Sequence, residues 1–103
     1  MTNRELLKSL SQQAPPLVVD VRNGWEYRKS HIKGALNLPL WKLPVWKMLV
    51  PSDRERALVV TCEHGPRAQL AAGFLKRLGF RRIDLLKGHM RGWKLAGLPL
   101  EKE

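Results

Sequence analysis

Ala57-Leu58-Val59-Val60-Thr61-Cys62-Glu63-His64-Gly65-Pro66-Arg67 is an apolar run, a lone cysteine and a short Gly/Pro loop that ends on a basic residue. Continuous apolar residues, bounded by charge before and Gly/Pro after, mark a strand buried on both faces. Ala57–Thr61 therefore reads as a strand of a parallel sheet. Over Arg67–Leu78 the apolar residues Ala68, Ala71, Ala72, Phe74, Leu75 and Leu78 follow helical spacing, and Gly79 stands as a C′ stop. Arg82–Leu86 supplies the next strand. Strand, loop, helix and strand make one parallel crossover unit.

The chemistry of the loop follows from that placement. A thiol at the carboxyl end of a parallel strand lies at the crevice where open α/β sheets bind ligands. The helix behind it turns free N–H groups and the positive end of its dipole toward the loop. With Gly65 free to take a positive φ, a tight turn can aim several backbone N–H groups inward as an anion nest. Arg67 adds a permanent charge with forked donors. Such surroundings favour the thiolate. Cys62 is thus the candidate nucleophile, poised beside an anion site.

Four motifs then agree with one family. Cys62-Glu63-His64-Gly65-Pro66-Arg67-Ala68 resembles the active-site loop of rhodanese-like sulfurtransferases. Asp20-Val21-Arg22 is similar to the motif ending that family's first core strand. Glu26-Tyr27 with Ser30-His31-Ile32-Lys33-Gly34-Ala35-Leu36-Asn37-Leu38-Pro39 resembles a second segment, with Ser30 in place of the usual glycine. Lys87-Gly88-His89-Met90-Arg91-Gly92-Trp93 is similar to the closing element, with His89 where a second glycine is usual. The matches run in order from Val18 to Trp93. The resemblance implies that Cys62 is catalytic and that Glu63, His64, Gly65, Pro66 and Arg67 enclose the substrate. Asp20 and Arg22 are implied to brace the loop without touching substrate.

Composition sets the outer bounds. A chain of 103 residues, 44% hydrophobic and 27% charged, is expected to form one globular domain over residues 1–103. One cysteine excludes an internal disulfide. Arg4, Glu5 and Lys8 interrupt the leading leucines, so no signal peptide is read there, no stretch is long and apolar enough for a membrane span, and a cytoplasmic location is expected. The net charge of +10 is spread evenly: residues 1–61 hold ten Lys/Arg against five Asp/Glu, residues 62–103 nine against four. A solvated basic surface, steering of a small anionic substrate and nucleic-acid binding are expected in falling order. No nucleic-acid motif accompanies the charge.

Along the chain, Thr2-Asn3-Arg4-Glu5 reads as a capping box that opens a helix to about Gln13, with Leu6, Leu7 and Leu10 inward. Leu17–Val21 is a second buried strand. Asn23 caps a short helix through Lys29, and Ala35–Leu38 is a short strand stopped by Pro39. Leu40–Val50 reads as a short helix with Pro44 in its first turn, and Leu95–Glu103 as a tail. Apolar runs alternating with helices give an α/β fold: a small, doubly wound parallel sheet of about four to five strands flanked by helices. Trp25 and Trp93 are assigned to the core. Trp41 and Trp46 lid the pocket, form an apolar patch for a partner or, by default, pack in the core. His31 is expected to be a satisfied buried histidine and Glu63 to face outward. His64 either acts on a proton or points to solvent. Cys62, His64 and His89 match no metal-ligand spacing, so no metal is expected, and no cofactor is called for.

Loop length bears on the reaction. Four residues separate Cys62 from Arg67, one fewer than in the cysteine phosphatases and arsenate reductases that resemble this fold, so sulfur transfer is favoured over phosphoryl transfer. The expected partners are a small anionic donor such as thiosulfate and an external acceptor: cyanide, a small thiol or a protein thiol. The expected state is a monomer or weak dimer. The rival reading is a non-catalytic domain that keeps the fold and binds a partner through the Trp41–Trp46 surface.

Overall fold

Four short strands, all parallel, form a sheet in the order β2-β1-β3-β4 in the computed structural model, which describes residues 1–103. The strands are β1 (Leu17–Asp20), β2 (Leu36–Asn37), β3 (Leu58–Thr61) and β4 (Ile83–Leu85). Between and around them run α1 (Asn3–Leu10), α2 (Gly24–Lys29), α3 (Trp46–Leu49), α4 (Pro66–Arg77) and α5 (His89–Leu95). The central pair is β1 against β3, in the register Val18↔Val59 and Asp20↔Thr61. That register sets the ends of the two apolar runs side by side, with Asp20 opposite Thr61 and Cys62 leaving the sheet one residue later.

Side chains alternate across a strand, and the two faces carry separate cores. On one face Val19, Leu58 and Val60 pack with Trp46 and with Ala68, Ala71 and Leu75 of α4. On the other, Val18 and Val59 pack with Leu6 of α1, Ile32, and Met90 and Trp93 of α5. Every residue of β3 is buried, which is why its sequence shows no polar alternation. No helix is long and apolar enough to cross a membrane.

Local signals set the helix starts. The Thr2–Glu5 capping box forms as expected: Glu5 N–H donates to Thr2 Oγ1 at 3.1 Å and Thr2 N–H donates to Glu5 Oε1 at 2.8 Å. The helix stops at Leu10, short of Gln13, and buries Leu6 while Leu7 is exposed. Pro44 changes the helix expected over Leu40–Val50. Having no N–H to give to an α-helix, it lies inside a 3₁₀ segment, Leu40–Val45, and only Trp46–Leu49 is α-helical. Helix α5 falls on the closing motif, where the sequence shows glycines and no helical period.

The four tryptophans part company. Trp46 and Trp93 are buried, and each indole N–H finds a carbonyl: Trp46 Nε1 donates to Pro39 O at 3.0 Å, Trp93 Nε1 to Pro99 O at 2.9 Å. Trp25, assigned to the core from sequence, is 57% exposed, with Lys29 Nζ 5.6 Å above its ring. The reason is that α2 turns Tyr27, not Trp25, toward the core, and buries none of its residues completely. Trp41 is 69% exposed. Replacing Trp46 by alanine is expected to cost about 3–5 kcal/mol in chemical denaturation, as buried Trp→Ala changes do. The same change at Trp41 is expected to stay within about 0.5 kcal/mol; equal costs would contradict this packing.

Candidate active site

Cys62 follows directly on β3, and its backbone is held from both sides by consecutive residues of α5. Cys62 N–H donates to His89 Nδ1 at 3.4 Å, and Cys62 C=O accepts from Met90 N–H at 2.9 Å. Glu63 C=O accepts from Arg91 N–H at 3.1 Å. The first-turn amides of α5, which have no partner within their own helix, thus close onto the start of the loop. The loop then turns back over the sulfur: Gly65 N–H donates to Cys62 Sγ at 2.9 Å. Of the several inward amides that the sequence suggests, this is the one that reaches the sulfur.

Gly65 is there for a steric reason. Its φ is 128°, outside what side chains tolerate, and a Cβ would lie 3.1 Å from His89 Nε2. Pro66 follows at the first position of α4, where its missing N–H costs nothing. Gly65 is buried, while His64 and Pro66 are exposed on the outer side of the loop. Cys62 itself is fully buried. In this conformation the sulfur is closed to solvent.

Charged groups hold the loop in place. Asp20 and Arg22 form the structural pair read from the sequence: Arg22 Nη2 donates to Asp20 Oδ2 at 2.8 Å and Nε to Oδ1 at 3.0 Å, with both residues almost wholly buried. Breaking such a buried pair by removing one partner costs about 3–5 kcal/mol. Arg22 also reaches the loop, donating from Nη1 to Glu63 Oε1 at 3.2 Å. Glu63 is not turned freely outward as expected. Burial pushes its carboxyl up, but Lys94 Nζ at 2.9 Å and Arg22 outweigh this and hold it below the usual glutamate range. Its charge is paired with those two cations.

Arg67 departs further from expectation. Its guanidinium grips Glu26 in a two-pronged pair, Nη1 to Oε1 at 2.6 Å and Nη2 to Oε2 at 3.1 Å. Glu26 also accepts from Asn23 N–H at 2.9 Å, so one carboxylate both caps α2 and ties it to α4. The Arg67 bond holds the Glu26 carboxyl below its usual range; the partly exposed Arg67 is raised in turn, by Glu26 first and by Cys62 to a smaller degree. The sequence signal for Glu26 was its capping position; nothing in it shows a partner 41 residues away.

His31 is the satisfied buried histidine expected, its Nδ1 2.8 Å from Tyr27 O and its ring stacked on Tyr27 at 3.9 Å. No three His, Cys, Asp or Glu side chains gather as a metal-holding group. His89 stands out in the sequence only as a histidine where the closing motif has glycine; the structure sets it against Cys62 N–H and Gly65. It sits at φ 51°, the left-handed region, where histidine is one of the few side chains found. Burial pushes its imidazole below the ordinary histidine value.

With fold and loop in view, the chain belongs to the rhodanese-like family: the Rhodanese-like domain model matches residues 2–96. It is 33% identical over 104 residues to a protein named sulfurtransferase from Allochromatium vinosum, covering 97% of this chain and 95% of that one. It is 37% identical over 79 residues to the thiosulfate sulfurtransferase GlpE of Shewanella oneidensis, covering 77% of this chain and 76% of that one. Among solved structures, a rhodanese-related protein from Thermoplasma volcanium superposes with a TM-score of 0.84 at 30% identity, covering 100% of this chain and 97% of that chain.

The Glu26–Arg67 pair makes a pH-dependent prediction. Because the folded carboxyl is depressed, its contribution to stability is present above about pH 4.3, the unfolded glutamate value, and fades as pH falls from there through the lower folded value. Glu26→Gln is therefore expected to be less stable than the parent near neutrality, with the gap closing in acid. Urea denaturation at stepped pH checks this, and a gap that does not change with pH would contradict it.

Proposed function

We propose that the chain is a sulfurtransferase that carries sulfane sulfur as a persulfide on Cys62. The observation that supports this best is the lone thiol at the end of the central strand with the Gly65 amide aimed at its sulfur. The family and the names of its relatives point the same way. In the first step the Cys62 thiolate attacks the outer sulfur of thiosulfate or a similar anionic donor. The donor's S–S bond breaks, its electron pair leaves on sulfite, and a Sγ–S bond forms. The Gly65 amide and the positive end of α4 offset negative charge at that sulfur. Arg67 can receive the departing anion only by giving up part of its grip on Glu26.

In the second step an acceptor thiolate, or cyanide, attacks the outer sulfur. The Sγ–S bond breaks and its electron pair returns to Cys62. With no second cysteine in the chain, the acceptor is external: a small thiol, a protein thiol or cyanide. The single free thiol suits a reducing compartment, and we place the reaction in the cytoplasm. The net charge of +10 favours approach of an anionic donor. Phosphatase-like chemistry is less well supported, since the loop has only four residues between Cys62 and Arg67. A second reading rests on the exposed Trp41, Val45, Met48 and Leu49, an apolar patch suited to a protein partner.

Mass spectrometry after thiosulfate treatment is expected to show one added sulfur atom on Cys62, lost again on adding cyanide or thiol, and no turnover in Cys62→Ser. Turnover that survives Cys62→Ser would overturn the mechanism. An unmodified Cys62 in the face of every sulfane donor, with partner binding indifferent to the thiol, would favour the second reading.

A further inference from the structure

We propose that His89 is a positioning residue for the Cys62 sulfur: its ring, set between the Cys62 amide and Gly65, holds the loop so that Gly65 N–H points at Sγ. The inference rests on Cys62 being the reacting atom. Three contacts carry it.

The first is the amide of Cys62. Thr61 is the last β3 residue paired with β1, so the next N–H lies beyond the ladder and, being buried, needs an acceptor. His89 Nδ1 supplies it at 3.4 Å, with Thr61 Oγ1 3.5 Å from the same nitrogen. An imidazole that accepts at Nδ1 carries its proton on Nε2. The second contact is with Gly65: a Cβ there would stand 3.1 Å from His89 Nε2 and 3.3 Å from Cδ2, so the ring lies flush against the glycine. The third is the Gly65 N–H donated to Sγ at 2.9 Å. The three contacts close a circuit from Cys62 N–H through the ring to Gly65 and back to the Cys62 sulfur. Met90 and Arg91, the next residues of the same turn, take the carbonyls of Cys62 and Glu63.

A glycine at position 89 would accept the same φ but would leave the Cys62 amide without an acceptor and an open space beside Gly65. The substitution that separates the two roles is therefore His89→Gly, compared with His89→Asn. Asparagine also tolerates the left-handed region and offers a carbonyl oxygen as acceptor.

With one cysteine in the chain, ultraviolet thiolate absorbance reports Cys62 alone and needs no sulfur donor. In His89→Gly the absorbance is expected to move to higher pH, the ionisation constant falling about tenfold on loss of one charge-assisted hydrogen bond. Thiosulfate turnover in that variant should lose kcat with KM little changed, and His89→Asn should recover most of both. A folded His89→Gly with the parent's thiolate titration would overturn the inference. Should that variant not fold, nitrogen NMR of the parent imidazole decides: the Nε2–H tautomer is required, and a proton on Nδ1 at neutral pH refutes the role. If the parent fails to turn over thiosulfate while His89→Gly still shifts the titration, the positioning role stands and the sulfur-transfer reading falls.

Discussion

The hydrogen bond from the Gly65 amide to the Cys62 sulfur is the contact that everything around the loop serves. A backbone N–H bends back onto a side chain three residues earlier only if the intervening turn is held closed. Here it is held by a positive φ at Gly65, by α4 beginning at Pro66, and by α5 gripping the backbone of Cys62 and Glu63. None of these works without the parallel pairing of β1 and β3, which sets the height at which Cys62 leaves the sheet. The two hydrophobic cores, one on each face, hold that height.

Charge is distributed on the same principle. Each carboxylate near the loop is taken by a cation: Asp20 by Arg22, Glu63 by Arg22 and Lys94, Glu26 by Arg67. The effect is to withdraw negative charge that would oppose a thiolate while stitching β1, α2, α4 and α5 to the loop. Arg67, which the sequence suggests as an anion ligand, is engaged with Glu26. The sulfur is fully buried as well.

What the sequence shows clearly is what local rules govern. Leu58–Thr61 announces a doubly buried strand by its unbroken apolar run Leu58-Val59-Val60. Pro66–Arg77 shows its helical period, and the Thr2–Glu5 and Asn23–Glu26 boxes fix two helix starts. The pairing of Asp20 with Arg22 was legible because only Val21 separates them. The partners of Glu63 and Arg67 were not: Lys94 and Glu26 come from 31 and 41 residues away, and only the assembled sheet brings them in. Trp25 misled because hydrophobicity alone does not say which side of a six-residue helix faces the core. His89 was read as a departure from a glycine motif, and its contacts with Cys62 and Gly65 exist only once α5 is docked.

The most direct test of the account is the Gly65 amide itself. In a proton–nitrogen correlation spectrum followed through ionisation of Cys62, the account predicts that the Gly65 N–H resonance moves strongly downfield with the thiolate and stays still in Cys62→Ser. A Gly65 amide that ignores the charge on Cys62, while other loop amides respond, would contradict it.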